Sequence, residues 1–263
     1  MGQLAVGTSG FSYRDWVGPF YPKELPQREF LRYYSRTFSF VELNFSYYRQ
    51  PESGMIEQLR RKVPGSFQFS IKAHSSITHD RGAEWKAECE RFQKGIEPLV
   101  SNHQCVGVLM QFPYSFHYTR ENRLYLDAVL EKLRELPLLV EFRNAEWKQD
   151  KVFEGLKDRS VGLVLTDMPE LENLPVFEPR VTSDISYLRF HGRNKAAWWT
   201  GDNISRYDYL YSREELEEKL PDLRALLDSS RRLYLAFNNH HKGQAVQNAL
   251  QILQLLGNKK DEQ

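Results

Sequence analysis

Four titratable side chains in this sequence are of the types that carry out acid–base chemistry, and each stands at or near the end of a short apolar run. They are Glu42, Lys72, Glu141 and His191. A carboxylate can accept a proton as a general base, and a lysine or histidine can donate one or stabilise developing negative charge. We therefore predict Glu141 or Glu42 as the general base, and Lys72 or His191 as the general acid or electrostatic stabiliser.

A second group of residues at the same run ends has the chemistry of anion binding. Arg143, Arg189 and Arg193 would position the anion, and Gly192 and Gly243 would let the backbone approach it closely. The other predicted substrate contacts are amide, acidic or aromatic side chains: Asn44, Gln111, Asp167, Asn238, Asn239, Tyr13, Trp16 and Trp147. The expected ligand is a small anionic or phosphorylated molecule, such as a sugar or a nucleotide.

Strand-sized apolar runs separated by helical patterns must position these side chains. The eight runs are LAVGTS (4–9), FSFVELN (38–44), FQFSIK (67–72), CVGVLMQ (105–111), LLVEFR (138–143), VGLVLTD (161–167), YLRFHG (187–192) and LYLAFNN (233–239). Such alternation predicts an α/β fold, a (β/α)8 TIM barrel with its functional groups at the carboxyl ends of the strands. Because side chains alternate along a strand, residues two apart are expected to share the inward face.

Two segments depart from the regular pattern. Residues 167–184 contain three prolines, so the sixth βα unit is predicted to be irregular. Residues 193–211 are polar and aromatic without periodicity, which predicts a long loop after strand seven. Without a linker or repeat, residues 1–263 are interpreted as one domain that ends in the polar tail 258–263.

Composition limits the class of partner. The formal net charge is +1, from 36 Lys and Arg against 35 Asp and Glu, so no global field attracts nucleic acid or anionic membranes. No run reaches the ~18 apolar residues of a membrane span, and no membrane partner is expected. The two cysteines, Cys89 and Cys105, are too few for a disulfide framework, which favours a cytoplasmic location.

Several other interpretations fit the same polar run ends. Glu42 and Lys72 on neighbouring strands would form a self-neutralising ion pair with no catalytic role. Glu42 and Glu141 would also supply the two carboxylates of a glycosidase, but they lie on strands two and five. The common barrel glycosidases use strands four and seven, where this chain has Gln111 and His191.

No cofactor is predicted, although a divalent metal is an alternative. His191, His240, Glu141 and Asp167 are suitable ligand types, yet no HExxH or similarly close spacing joins them. Aromatic and basic residues also gather at the same ends of the runs, including Trp198 and Trp199. They suit a nucleic-acid-binding or repair protein as a second hypothesis. A non-catalytic metabolite-binding protein is the third.

Seven ordered segments resemble the YecE-like family. They are GTSGFSYRDW…FYP (7–22), VELNFSYYRQP (41–51), FSIKAHSSITH (69–79), LMQFPYSF (109–116), VEFRNAEW (140–147), YLRFHGRN (187–194) and AFNNHHKGQAVQNA (236–249). The resemblance implies a TIM barrel with these motifs around its top, and it implies no reaction. Asn144 and Glu146 stand where the family more often has His and Ser, and Phe45 where a small residue is usual.

Overall fold

The structure is a computed structural model that describes residues 2–202 and 204–257. Eight parallel strands form its inner wall. The strands are β1 (Gln3–Thr8), β2 (Phe40–Leu43), β3 (Gln68–Lys72), β4 (Cys105–Gln111), β5 (Leu138–Glu141), β6 (Gly162–Asp167), β7 (Ile185–Phe190) and β8 (Arg232–Phe237). They pair in the order β1-β8-β7-β6-β5-β4-β3-β2. The ring closes where Gly10 N donates to the carbonyl of Glu42 at 2.8 Å. The predicted TIM barrel is confirmed, while the tail 258–263 lies outside the described residues.

Helices cover the outside of the barrel in most βα units. They are α1 (Phe30–Tyr34), α2 (Ser53–Arg60), α3 (Trp85–Ser101), α4 (Arg120–Lys132), α5 (Asp150–Asp158), α6 (Arg213–Glu218), α7 (Leu220–Ser229) and α8 (Gln244–Gly257). Residues 168–184 form no helix, which agrees with the irregular sixth unit. Within the described part of the chain, no helix combines the length and the apolar character that crossing a membrane requires.

Side-chain alternation along the strands divides the barrel interior into an apolar layer and a polar layer. Phe40, Leu139 and Tyr187 belong to the apolar cluster inside the barrel. Two residues further along β2, β5 and β7, the inward positions are Glu42, Glu141 and Arg189. The polar layer therefore lies at the carboxyl ends of the strands, as the pattern of the sequence predicts.

The seam between β1 and β2 is close-packed at Gly7, and this gives a stability prediction. A Cβ at Gly7 would lie 2.2 Å from the carbonyl oxygen of Phe40. The backbone of Phe40 cannot move away without disturbing the strand. Gly7→Ala is therefore expected to lower the free energy of unfolding by about 1–3 kcal/mol or more. Gly54→Ala in α2 is the matched control, since no heavy atom lies within 4 Å of its added Cβ. Equal stability of the two variants in urea unfolding would contradict the close packing of this seam.

Candidate functional site

A buried ion-pair layer spans the barrel from β2 through β7 to β5. Arg189 donates from Nη2 to Glu42 Oε1 at 2.7 Å, from Nε to Glu42 Oε2 at 3.0 Å, and from Nη1 to Glu141 Oε2 at 2.7 Å. Tyr187 adds a donor to Glu42 Oε2 at 2.9 Å. Both carboxylates are 0% exposed, so these bonds replace the water that each would otherwise need.

Glu141 is held by further groups that keep it ionised. Arg143 Nε donates to Glu141 Oε1, and His191 Nε2 lies 3.4 Å from the same oxygen. Burial alone would raise the pKa of Glu141, but Arg143 and Arg189 hold that pKa well below its usual range. Burial also lowers the pKa of His191 to about 3, so this histidine is neutral at pH 7. Its Nδ1 lies 3.0 Å from Asn238 Nδ2.

These contacts change the roles that the sequence predicts for the carboxylates. The structure places neither Glu42 nor Glu141 on the wall of an open cavity, because their oxygens face Arg189 and Arg143. Glu141 in particular is a poor proton acceptor, because Arg143 and Arg189 hold its pKa well below its usual range despite its burial. Both residues position the arginines. The predicted pairing of Glu42 with Lys72 is replaced by the pairing with Arg189.

Lys72 at the end of β3 has no carboxylate partner among the described residues. Its Nζ donates to Gln111 Oε1 at 2.8 Å and lies 4.2 Å from the centroid of the Tyr47 ring. Burial, followed by repulsion from Arg189 and Arg143, lowers the pKa of Lys72 to about 7. A lysine with this pKa can both donate and accept a proton near neutral pH.

A cavity of about 630 Å³ opens at this end of the barrel. Its aromatic lining consists of Tyr13, Tyr47, Tyr48, Tyr114, Trp198, Trp199 and Tyr207. Its cationic, histidine and amide lining consists of Lys72, Arg143, Arg189, Arg206, His79, His240, Asn44, Gln111 and Asn238. The volume is within the range of small-molecule sites, and the mixture of flat rings and cations suits an anionic ligand with a ring.

Two buried polar atoms in this lining lack a hydrogen-bond partner within the described residues. They are Asn44 Oδ1, which can only accept, and Arg206 Nε, which can only donate. Native structures leave few such atoms unsatisfied. A ligand that brings both a hydrogen-bond donor and an anionic acceptor would satisfy them.

Asp167 and Arg193 lie outside this cavity, contrary to their predicted place in the site. Val164 and Thr166 take the inward positions of β6, so Asp167 faces outward. There it accepts from Arg193 Nε at 2.8 Å and from Tyr211 OH at 2.8 Å.

The turn at Gly192 explains where Arg193 lies. Gly192 has a φ of +86°, and its N donates to Tyr211 OH at 2.9 Å, so the alternation of β7 ends before Arg193. Arg193 therefore binds Asp167 through two hydrogen bonds on the outer side of the barrel. The role of Gly192 is to form the turn that directs the chain there.

Four other predicted contacts have structural roles. Trp16 is 0% exposed and donates from Nε1 to the carbonyl of His240, and Trp147 stacks on Phe116 with its ring 5.0 Å away. Asn239 donates to the carbonyl of Tyr209 at 2.8 Å. Gly243, at a φ of +78°, turns the chain into α8. Of the three predicted aromatic contacts, Tyr13, Trp16 and Trp147, it is Tyr13 that lines the cavity.

Sequence reasoning missed Arg206, Tyr207 and His79 as cavity residues. Arg206 and Tyr207 belong to the predicted long loop 193–211, whose lack of periodicity gave no means of choosing among its members. His79 lies in a π-helical turn, Ser76–Asp80, directly after β3. Such turns are frequent at functional sites, but their sequences carry no distinctive pattern.

Metal binding receives no geometric support in the part of the chain that is described. There, no three His, Cys, Asp or Glu side chains are grouped closely enough to hold a metal ion. Asp167 is separated from the other suggested ligands by its outward orientation.

Comparisons with known proteins identify the family. The model for "Protein of unknown function DUF72" matches residues 5–263. The UPF0759 protein YunF of Bacillus subtilis (strain 168) is 30% identical over 269 residues, which cover 96% of this chain and 94% of that protein.

Two crystal structures of DUF72 family proteins have a similar fold. The protein from Thermotoga maritima MSB8 has a TM-score of 0.88 and 42% identity, over 97% of this chain and 99% of the other. The protein from Enterococcus faecalis V583 has a TM-score of 0.86 and 27% identity, over 98% and 97%. The DUF72 family is thereby shown, and the narrower resemblance to YecE-like proteins stays a prediction. The chain belongs to the DUF72 family.

Proposed function

We propose that this protein is an enzyme that binds a small phosphorylated or otherwise anionic molecule in the cavity at the carboxyl ends of the strands. The observation that carries the proposal is the sign of charge in the lining. Lys72, Arg143, Arg189 and Arg206 line the cavity, and no aspartate or glutamate of the described chain does so. Concave surfaces lined by one sign of charge concentrate ligands of the opposite sign.

Charge balance identifies which cations remain for a ligand. Glu42 and Glu141 offset Arg189 and Arg143 within the buried layer. Lys72 has Gln111 as its hydrogen-bond acceptor, which is neutral. Within the described residues, Arg206 Nε has no acceptor. Lys72 and Arg206 therefore supply positive charge that no carboxylate among the described residues pairs with.

The remaining lining supports a ring-bearing ligand with a hydroxyl or amine group. Trp198, Tyr207 and Tyr13 offer flat faces for stacking, and Asn44 Oδ1 needs a donor. A phosphorylated sugar or a nucleotide combines these features. In the proposed reaction, Lys72 transfers the proton, and Arg143 and Arg206 stabilise negative charge on the ligand.

Substitution of Arg206 tests the anion site. Arg206→Met is expected to weaken binding of inorganic phosphate at least tenfold in isothermal titration calorimetry, because a charge-assisted hydrogen bond contributes about 1.5–3 kcal/mol. Arg134→Met is the matched control, since Arg134 follows α4 at the opposite end of the barrel. No phosphate binding by the native protein, or equal binding by both variants, would exclude this site.

Nucleic-acid binding is a second candidate, favoured by two exposed aromatic residues at the cavity rim. Tyr48 is 74% exposed and Trp199 is 52% exposed, and such rings stack readily on unpaired bases. The expected signature is affinity for single-stranded DNA or RNA that falls steeply with added salt.

A non-catalytic metabolite-binding protein would instead bind a phosphorylated ligand tightly without converting it.

A further inference from the structure

We propose that Lys72 is a covalent nucleophile that forms an imine with the carbonyl carbon of a small anionic aldehyde or ketone bound in the cavity. The proposal rests on the anion site described above. It extends that site by naming the substrate class as carbonyl compounds and by giving Lys72 a bond-forming role.

The first support is the neutral hydrogen-bond partner of Lys72. Gln111 Nε2 donates to the carbonyl of Phe112 at 2.9 Å, which turns Oε1 towards Lys72. An uncharged amine still donates one N–H to this oxygen and keeps its lone pair available. A carboxylate in the same place would hold the lysine as an ammonium ion, which is not nucleophilic.

The second support is the charge environment. Glu42 and Glu141, the acidic groups of the polar layer, are committed to Arg189 and Arg143. The two guanidinium groups remain near Lys72 and, after burial itself, are what lower its pKa to about 7. A desolvated lysine beside other cations is the recurring arrangement of imine-forming lysines.

The third support is the position of Lys72 relative to Arg206, whose Nε has no hydrogen-bond partner among the described residues. Lys72 and Arg206 line the same cavity of about 630 Å³, on strand β3 and on the loop after β7 respectively. An anionic group held by Arg206 would leave the rest of a small ligand within the cavity that Lys72 also lines. Holding the carbonyl close to the amine makes the addition effectively unimolecular.

The proposed step is balanced without any further reactant. The Lys72 Nζ lone pair attacks the carbonyl carbon, the C–N bond forms as the C=O π bond breaks, and one amine proton moves to the oxygen to give a carbinolamine. The C–O bond then breaks, and the oxygen leaves as water with the two hydrogens that the amine nitrogen carried. The neutral imine takes one proton from solvent to become the iminium ion. No electrons are transferred to or from an outside reagent.

Reductive trapping of the native protein tests the proposal. Pyridoxal 5′-phosphate, an aromatic aldehyde with a phosphate, would be added in equimolar amount at pH 7, reduced with borohydride, and located by peptide mass spectrometry. Lys72 is expected to be labelled at least tenfold faster than the exposed Lys157 at the end of α5. Added sulfate is expected to slow labelling at Lys72 and leave Lys157 unchanged.

Two variants separate the outcomes. Lys72→Arg is expected to retain sulfate binding by calorimetry and to lose the adduct at this position, whereas Lys157→Met keeps both. If the native protein binds sulfate but Lys72 reacts no faster than Lys157, the imine proposal is overturned and the anion site stands. If the native protein binds no sulfate and Lys72 reacts no faster than Lys157, both proposals fail.

Discussion

Arg189→Met is expected to lower the free energy of unfolding by about 3–5 kcal/mol, because it leaves two buried carboxylates without their shared partner. Glu42 and Glu141 are 0% exposed, and each accepts from Arg189 within 3.0 Å. Buried carboxylates that lose hydrogen-bond donors carry a large desolvation cost. Chemical unfolding monitored by circular dichroism measures the change directly.

The control for this variant is Arg134→Met, which removes a surface guanidinium that is 65% exposed. Exposed ion pairs contribute little to stability, so this control should unfold almost as the native protein does. A loss below about 1 kcal/mol in Arg189→Met would contradict the structural importance of the buried layer.

The effect of Arg189→Met should also depend on pH. In the native protein, burial acts to raise the pKa of Glu141, but Arg143 and Arg189 hold it well below its usual range. A carboxyl with a depressed folded-state pKa adds stability above its unfolded pKa of about 4.3, and loses that stability as pH falls through the folded value. The native protein therefore loses the stability contributed by ionised Glu141 as the solution is acidified. The difference in stability between the native protein and the variant should narrow below about pH 4.

The second large effect is expected in anion binding, which should weaken as pH rises through the pKa of Lys72. Burial and the nearby arginines lower this pKa to about 7. Because sulfate binds the charged ammonium, its affinity should be highest below pH 7 and fall about tenfold by pH 9, equivalent to about one pKa unit of coupling. Sulfate is the appropriate probe, since its own charge is constant over this range.

Two substitutions assign the pH dependence to Lys72. Lys72→Arg carries a charge that does not titrate, so its sulfate affinity should stay constant between pH 6 and pH 9. Lys72→Met should bind weakly at every pH in this range. His79 contributes no change here, because burial and Lys72 lower its pKa to about 4. A steep pH dependence that persists in Lys72→Met would assign the dependence to a group other than Lys72.

Strand alternation allowed the inner part of the site to be predicted from the sequence. Apolar runs located all eight strands, and the period of two then placed Glu42, Glu141 and Arg189 on the inward face. This inference works because a barrel strand has one inward face and a fixed pleat.

The alternation of side chains predicts the wrong position beyond the end of a strand. It also fails where the inward and outward positions of a strand are exchanged. Arg193 lies beyond the turn at Gly192, and Asp167 is one position out of phase with Val164. Pairing across the barrel was also missed, because Arg189 reaches β2 and β5 by crossing the interior rather than through neighbouring strands. Such contacts depend on the tilt and stagger of the strands, which residue order does not reveal.

Aromatic residues near the strand ends were the least predictable part of the site. Tyr13 and Trp16 are three residues apart, yet one lines the cavity and the other is 0% exposed in the core. Residue type predicts that a large ring will be buried, and it does not predict against which surface. Arg206 and Tyr207 were missed because a loop without periodicity does not indicate which of its side chains point towards the cavity.

A crystal structure grown or soaked with selenate, a sulfate analogue with an anomalous signal, tests the central claim most directly. The predicted result is an anomalous peak inside the cavity, within hydrogen-bonding distance of Arg206, Arg143 or Lys72, with the peak lost in Arg206→Met. The contradictory result is a cavity without selenate in crystals where selenate occupies other sites, such as the outer surface near Arg193 and Lys195.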